Sequence, residues 1–378
     1  MSPARTVHAV VPASIHAPSR PSGGNAYDRR ICQELGAIGW SVRELAIAGA
    51  WPRPDAAACA ALTRAIAGIG DGGVVLVDGL IASCVPDVLV PEAARLRLVV
   101  LVHLPLGIGL TGEGAATDGP HAEGAVASAA AESAVLSAAA ESAVLSAAAG
   151  VITTSAWTKG WLLTQYDLQP DRVHVAEPGA DAAELAVGTA SGSELLCVAA
   201  VTPNKGHDVL LTALAELSAD LRWRCLCVGP LDRDPSFVDR LRGQAVAAGI
   251  AERVLFTGPR SGAELAASYA AADLLVVASH FETYGMVVTE ALARELPVLG
   301  TAVGGLPDAL GHADDGGRPG MLVPPGDPAA LASALQQWLG DAQLRARLRQ
   351  AARERRRTLP AWSATSARIS AVLAEVAA

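Results

Sequence analysis

The sequence predicts an α/β protein made of two Rossmann-like domains that face a central cleft. Three observations lead there. Short apolar runs rich in branched residues recur along the chain, which suits buried parallel strands. Stretches with helical spacing separate them, so strand and helix alternate. A stretch from Ala182 to Ser193, holding Gly188, Ser191 and Gly192, divides two such series and reads as a linker.

In chain order, Thr6-Val7-His8-Ala9-Val10-Val11-Pro12 reads as the first strand and Ser41-Val42-Arg43-Glu44-Leu45 as the second. Between them a polar loop runs from Ala13 to Asn25 and contains Gly23-Gly24. A helix from Tyr27 to Gly39 follows, striped by Ile31, Leu35 and Ile38. Val74 to Asp78 and Leu98 to His103 are the next strands. His103 stands at a carboxyl end, where open parallel sheets bind ligands. The Gly-rich stretch from Gly107 to Gly124, with Thr111, Glu113, Thr117, Asp118 and His121, reads as a mobile loop. An Ala-rich helix then carries a repeat, Glu132 to Ala140 recurring as Glu141 to Ala149. A nine-residue repeat turns the second copy about half a turn from the first. Gly150 to Ser155 is a strand, followed by a helix from Trp157 to Tyr166.

The second series opens with the strand Glu194 to Ala200, then Val201-Thr202-Pro203-Asn204-Lys205-Gly206 and a helix from His207 to Leu217. Strands follow at Arg222 to Val228, at Val254 to Phe256 before Thr257-Gly258-Pro259-Arg260, at Leu274 to Ala278 and at Leu296 to Gly300. Glu295 occupies a helix end where glycine is usual; a left-handed backbone there would strain it by ~1 kcal/mol. Asp327-Pro328 starts a helix, N-cap then proline. The basic helix Leu344 to Arg357 ends in Arg353-Glu354-Arg355-Arg356-Arg357, read as a solvated end, and Trp362 to Ala378 is the last helix. The expected domains are residues 1–185 with the terminal helix 362–378, and residues 193–358.

Composition narrows the functional classes. The chain has 378 residues, half of them apolar, and a net charge of −9 without a basic block, which argues against a nucleic-acid partner. Its six cysteines match no zinc spacing and read as reduced thiols of a cytoplasmic protein. No signal-like or membrane-length apolar segment is expected. His312 with Asp314-Asp315 reads as a loop, so no metal site and no cofactor is expected. The oligomeric state stays open.

The chemistry concentrates in His280-Phe281-Glu282-Thr283-Tyr284-Gly285-Met286-Val287-Val288-Thr289-Glu290. A strand precedes it and good helix formers follow. The free amides of Gly285, Met286 and Val287 open the helix and offer an anion seat. Glu290 shares a face with Met286 and points back toward that seat. A carboxylate there suits sugar hydroxyls better than phosphate, and Glu282 can reach a second ring. Two acids around an anion seat fit a diphosphate between two polyols, that is, a nucleotide sugar. Lys205, one of two lysines with Lys159, lies between strand end and helix start, where it can meet a diphosphate.

Glu282 and Glu290 with Gly285 between them, then Pro297-Val298 and Gly304-Gly305-Leu306-Pro307-Asp308, resemble the donor site of the family 4 retaining glycosyltransferases, which have the GT-B fold. The resemblance implies that Gly23-Gly24-Asn25 meets the donor phosphates and that His103 contacts the transferred sugar. Lys205-Gly206 would meet the diphosphate, and the loop reaching Arg260 would pack on the base. Gly304-Gly305 would approach the sugar or phosphate. Glu177-Pro178-Gly179-Ala180-Asp181 would close the first domain, and the terminal helix would return to it. The loop at 107–124 would face the acceptor. It also implies an arginine about five residues before Lys205, where this chain has Ala200. An arginine of the first domain (Arg20, Arg29 or Arg30) would then have to help, or donor binding would be weaker. The expected activity is retaining transfer of a sugar from a nucleotide diphosphate to a hydroxyl or similar acceptor in natural-product or cell-surface glycan synthesis. His103, Lys205 and Glu282 would be catalytic. Gly23, Gly24, Lys205, Arg260, Glu282, Gly285, Met286, Val287 and Glu290 would bind the donor. A sugar-nucleotide epimerase, a phosphorylase and a non-catalytic nucleotide-sugar-binding protein are the alternatives.

Overall fold

The structure is a computed structural model describing residues 5–17, 22–110 and 124–378. Its contacts divide it into two units, which are taken separately. Unit 1 holds the N-terminal residues through Gly179 together with Pro360–Ala378; unit 2 holds Ala180–Leu359.

The strands of unit 1 are β1 (Arg5–Pro12), β2 (Trp40–Ile47), β3 (Val74–Asp78), β4 (Arg97–Val102), β5 (Gly150–Thr153) and β6 (Val173–Val175). They form one parallel sheet in the order β2-β1-β3-β4-β5-β6. β3 is buried at every position and β4 at all but its first, so their apolar runs pack on both faces. The order reverses between β1 and β3, which makes their carboxyl ends the ligand-binding edge of an open sheet.

Unit 2 repeats the plan with β7 (Glu194–Val198), β8 (Arg224–Val228), β9 (Val254–Gly258), β10 (Leu274–Val277), β11 (Val298–Thr301) and β12 (Gly320–Val323). The order is β12-β11-β10-β7-β8-β9, all parallel, with the reversal between β7 and β10. Lys205 follows β7, and the Glu282–Glu290 segment follows β10.

All but the last two residues of the nine-residue repeat lie in one helix, Gly124–Ala147. Val144 and Leu145 are buried, whereas their counterparts Val135 and Leu136 are 54% and 71% exposed. The half-turn offset expected from nine residues is therefore present. Glu141 of the second copy is fully buried and accepts from Ser83 Oγ, the Leu106 and Gly107 amides and the Tyr166 hydroxyl. The Gly-rich stretch expected to face the acceptor falls largely outside the described residues.

Two readings are refined. The stretch 182–193, read as a linker, belongs to unit 2. The Ala186 amide bonds the Arg294 carbonyl, and the Val187 amide bonds that of Ala270. Asp273, fully buried, accepts from the Thr189 amide, the Glu194 amide and Arg349. The arginine cluster is solvated only in part, with Arg353 and Arg357 exposed and Arg355 and Arg356 half-buried. Arg353 and Arg356 pair with Glu295 at 3.1 and 3.4 Å, and Arg355 donates to the Leu310 carbonyl. All six cysteines are free thiols. Among the described residues no helix is long and apolar enough to cross a membrane.

Candidate functional site

In unit 2 the glycines explain how the site is assembled. Pro203–Lys205 makes one turn after β7, and Gly206 adopts φ +65°. A Cβ on Gly206 would lie 2.0 Å from the Ala278 carbonyl oxygen, so glycine lets this turn press against the end of β10. The His280 amide bonds the Asn204 carbonyl at 3.0 Å and locks the two loops. This carries Lys205 to Glu282, where Nζ donates to Oε1 at 2.6 Å. Ser279 Oγ donates to the same oxygen at 2.8 Å, and Thr301 holds Ser279 through its carbonyl. On the other side the Gly305 amide donates to the Glu282 carbonyl at 3.0 Å. A Cβ on Gly304 would stand 1.8 Å from this same carbonyl oxygen.

Gly285, at φ +90°, opens the helix Met286–Leu292, and Met286 and Val287 are half-buried. The helix ends at Leu292. Glu290 lies one turn on, and the hydroxyl of fully buried Tyr269 donates to its Oε2 at 2.7 Å. Burial raises the Glu290 pKa against the opposing effects of that hydrogen bond and of Arg294. Arg294 lies over the Tyr269 ring, 4.6 Å from its centroid, and donates to the Glu290 carbonyl. Arg260 is tied to Ser268 Oγ at 2.8 Å, in the helix Gly262–Ala271. Ser279 and Tyr269 were missed in the sequence; a hydroxyl beside each acid was the only signal, and such residues are common in loops and helices.

In unit 1, Gly23 and Gly24 start the helix Gly23–Ala37, with Ser22 as N-cap. A Cβ on Gly24 would stand 3.3 Å from the His103 ring, so the glycine makes room for that imidazole. His103 Nε2 lies 2.7 Å from Asp28 Oδ1 and 3.6 Å from Asp78 Oδ2. The Tyr27 ring meets it edge-on at 5.1 Å. Burial opposes the imidazolium, yet the neighbouring carboxylate charge and hydrogen bond, led by Asp28, outweigh it and raise the His103 pKa. Asp28 and Asp78 are 3% and 4% exposed. Neither drew notice in the sequence, because one is an unremarked helix residue and the other an ordinary strand end.

Two of the arginines expected to help at position 200 have partners within unit 1. Arg29 bonds the Ile15 carbonyl, and Arg30 pairs with Glu34 at 3.4 Å and lies over Trp362. Arg20 lies outside the described residues. Among those residues, Asp28, Asp78 and His103 form the group of ligand-type atoms close enough for a metal, all within 4.8 Å. A metal ion there would have to displace the 2.7 Å hydrogen bond.

Comparison with known proteins agrees with this layout. Residues 191–355 match the family model of glycosyl transferases group 1. The chain is 35% identical over 231 residues to a D-inositol 3-phosphate glycosyltransferase of Corynebacterium efficiens, covering 57% of this chain and 53% of that protein. One from Salinispora arenicola is 36% identical over 221 residues, covering 51% and 48%. The chain thus spans about half the length of the curated relatives it matches. Sucrose-phosphate synthase from Thermosynechococcus elongatus superposes with a TM-score of 0.77 at 22% identity, covering 98% of both chains. Anabaena HepE, solved in complex with UDP-glucose, gives 0.74 at 17% identity over 98% of this chain and 99% of the other. These likenesses extend the fold over both units. Residues 191–355 thus resemble the glycosyl transferases of group 1, and both units have the GT-B fold of the solved structures.

Proposed function

We propose that the protein is a retaining glycosyltransferase that moves a sugar from a nucleotide diphosphate to a hydroxyl-bearing acceptor. The observation that carries this is the joining of Lys205 and Glu282, 77 positions apart, at the carboxyl ends of the two strands flanking the reversal of a parallel sheet. In this reading Lys205 leaves Glu282 to meet the diphosphate, with the amides of Gly285, Met286 and Val287 beside it. Glu282 then accepts hydroxyls of the transferred sugar, and the free oxygen of Glu290 accepts those of the ribose. Gly23, Gly24 and His103 are assigned to the donor from unit 1, and Arg260 to the base.

The acceptor oxygen attacks the anomeric carbon as its bond to the diphosphate breaks. The leaving phosphate takes the acceptor's proton, so no protein base is needed, and Lys205 stabilises the charge that develops on the phosphate. We place the reaction in the cytoplasm, where thiols such as Cys197, Cys225 and Cys227 stay reduced. Thermal-shift screening against UDP-, GDP-, ADP- and dTDP-sugars should find a donor that raises the melting temperature. With that donor, Lys205→Ala and Glu282→Gln should each lower transfer about tenfold or more, equivalent to ~1.4 kcal/mol of transition-state contact. Transfer at the parent rate in both variants would remove the pair from the site.

A further inference from the structure

Asp28 and Asp78 are buried carboxyls beside His103, and the chemistry above uses neither. Their hydrogen bonds do not close if both are ionised. Asp28 Oδ1 takes the His103 Nε2 proton at 2.7 Å, but its buried Oδ2 has no donor among the described residues. Asp78 Oδ1 accepts from the Leu80 amide at 2.7 Å, which leaves Oδ2 on the side of His103 and Asp28. Neighbouring groups offer no relief. The Tyr27 hydroxyl donates to the Ala176 carbonyl. The Cys32 thiol, pushed up to about 12 by burial and then by Asp28 and Glu44, stays neutral. A cavity of about 10 Å³ beside the acids is otherwise lined by apolar residues and Cys32. Two buried negative charges against one imidazolium would leave an uncompensated charge as well as an orphaned acceptor.

We propose that Asp28 and Asp78 share one proton, carried on Asp78 Oδ2 and donated to Asp28 Oδ2, and that this pair orients His103 and holds it as the imidazolium. Both acids are then positioning residues. Asp28 fixes the Nε2–H bond, and Asp78 completes Asp28 without adding a second charge. The direction of the Asp78 pKa agrees: burial raises it first and the Asp28 charge raises it further. On the transfer reading above, on which this consequence alone rests, a charged His103 gives unit 1 a cation for the anionic donor.

The test is a side-chain NMR titration of the histidines in the full, ligand-free chain. The His103 midpoint should lie above the ordinary value of about 6.5. Asp28→Asn should lower it by about one pH unit or more, because burial is then less opposed. Asp78→Asn should leave it near the parent's. Its oxygen still accepts from Leu80, and its NH2 stands where the proposed acid proton points, donating to Asp28. If Asp78→Asn lowers the midpoint as far as Asp28→Asn does, Asp78 is ionised in the parent and the proposal fails. Infrared spectra of the parent supply a readout that does not depend on a variant folding. At neutral pH a protonated carboxyl stretch should be present, and the parent-minus-Asp78→Asn difference spectrum should show the loss of one such band; its absence from the parent overturns the shared proton. In transfer assays kcat/KM should fall as pH rises through the His103 midpoint, and Asp28→Asn should move that fall to lower pH. A normal titration beside a rate with no such limb would keep the shared proton and discard the assignment of His103 to transfer.

Discussion

Glu290 shows how a residue can be placed correctly while its surroundings stay hidden. Helical spacing puts it on the face of Met286, and the structure keeps it on that helix, one turn from Gly285. What spacing could not show is Tyr269, 21 positions earlier, whose hydroxyl holds one carboxylate oxygen. The same holds for Lys205 and Glu282. Each was legible as a charged group at a strand end, but their mutual bond depends on Gly206 pressing against Ala278, a contact between distant segments. Asp28 and Asp78 left no pattern, because the His103 site joins three separate segments. The raised pKa of Glu290 has a testable sign. The folded state favours the neutral acid, so its ionisation costs stability as pH rises past the unfolded value of about 4.3. Glu290→Gln, neutral throughout and still able to accept from Tyr269, should melt at or above the parent temperature at pH 7. The difference should vanish below about pH 4. Calorimetry should show nucleotide affinity reduced about tenfold, a loss of ~1.4 kcal/mol. A variant that melts lower yet binds normally would make Glu290 a structural residue.

At the scale of elements, the buried strands were the clearest signal, because a parallel sheet covered on both faces demands short apolar runs. β12 escaped notice. It is four residues long and begins at Gly320, where a Cβ would stand 1.9 Å from the Val298 carbonyl oxygen, so close approach to β11 requires a residue that weakens the strand pattern. The stretch 182–193 read as a linker from its composition, and composition carries no record of Asp273 or Arg294 waiting for it. Glu295 links two elements in a way that can be measured. It is the non-glycine residue with positive φ among those described, at 59°, after the helix Met286–Leu292. Its carboxylate meets Arg353 and Arg356 of the helix Ala342–Arg356. Glu295→Ala keeps the backbone strain and loses both partly exposed pairs, so it should lose about 0.5–1 kcal/mol. Glu295→Gly relieves the strain and should be about 1 kcal/mol more stable than Glu295→Ala in urea unfolding. Equal stability of the two variants would mean that the strain is absent.

For the molecule as a whole, unit 1 is closed by the last residues of the chain. In the helix Trp362–Val376, Ile369 and Leu373 are fully buried, with Trp362 and Val372 nearly so. Trp362 packs edge-on against Tyr27, and Gly179 leaves room for the Trp362 backbone. Trp40 bonds Ser370, and Thr365 bonds the Glu177 carbonyl. Burying these four side chains contributes ~6–12 kcal/mol, as much as a domain's whole stability. A chain ending at Leu359 should therefore lose the calorimetric transition of unit 1 and keep that of unit 2. Two transitions at the parent temperatures would show that the helix is dispensable.

The ion pair of Lys205 with Glu282 bears on turnover under the proposed reaction. A nucleotide diphosphate without its sugar can draw Lys205 away, but it gives Glu282 nothing in return. An intact donor gives both groups a partner at once. The empty pair thus favours substrate over spent nucleotide. Once the sugar has moved to the acceptor, the stranded carboxylate pulls the lysine back and speeds product release, so that the resting contact acts as a clearing step at the end of each cycle.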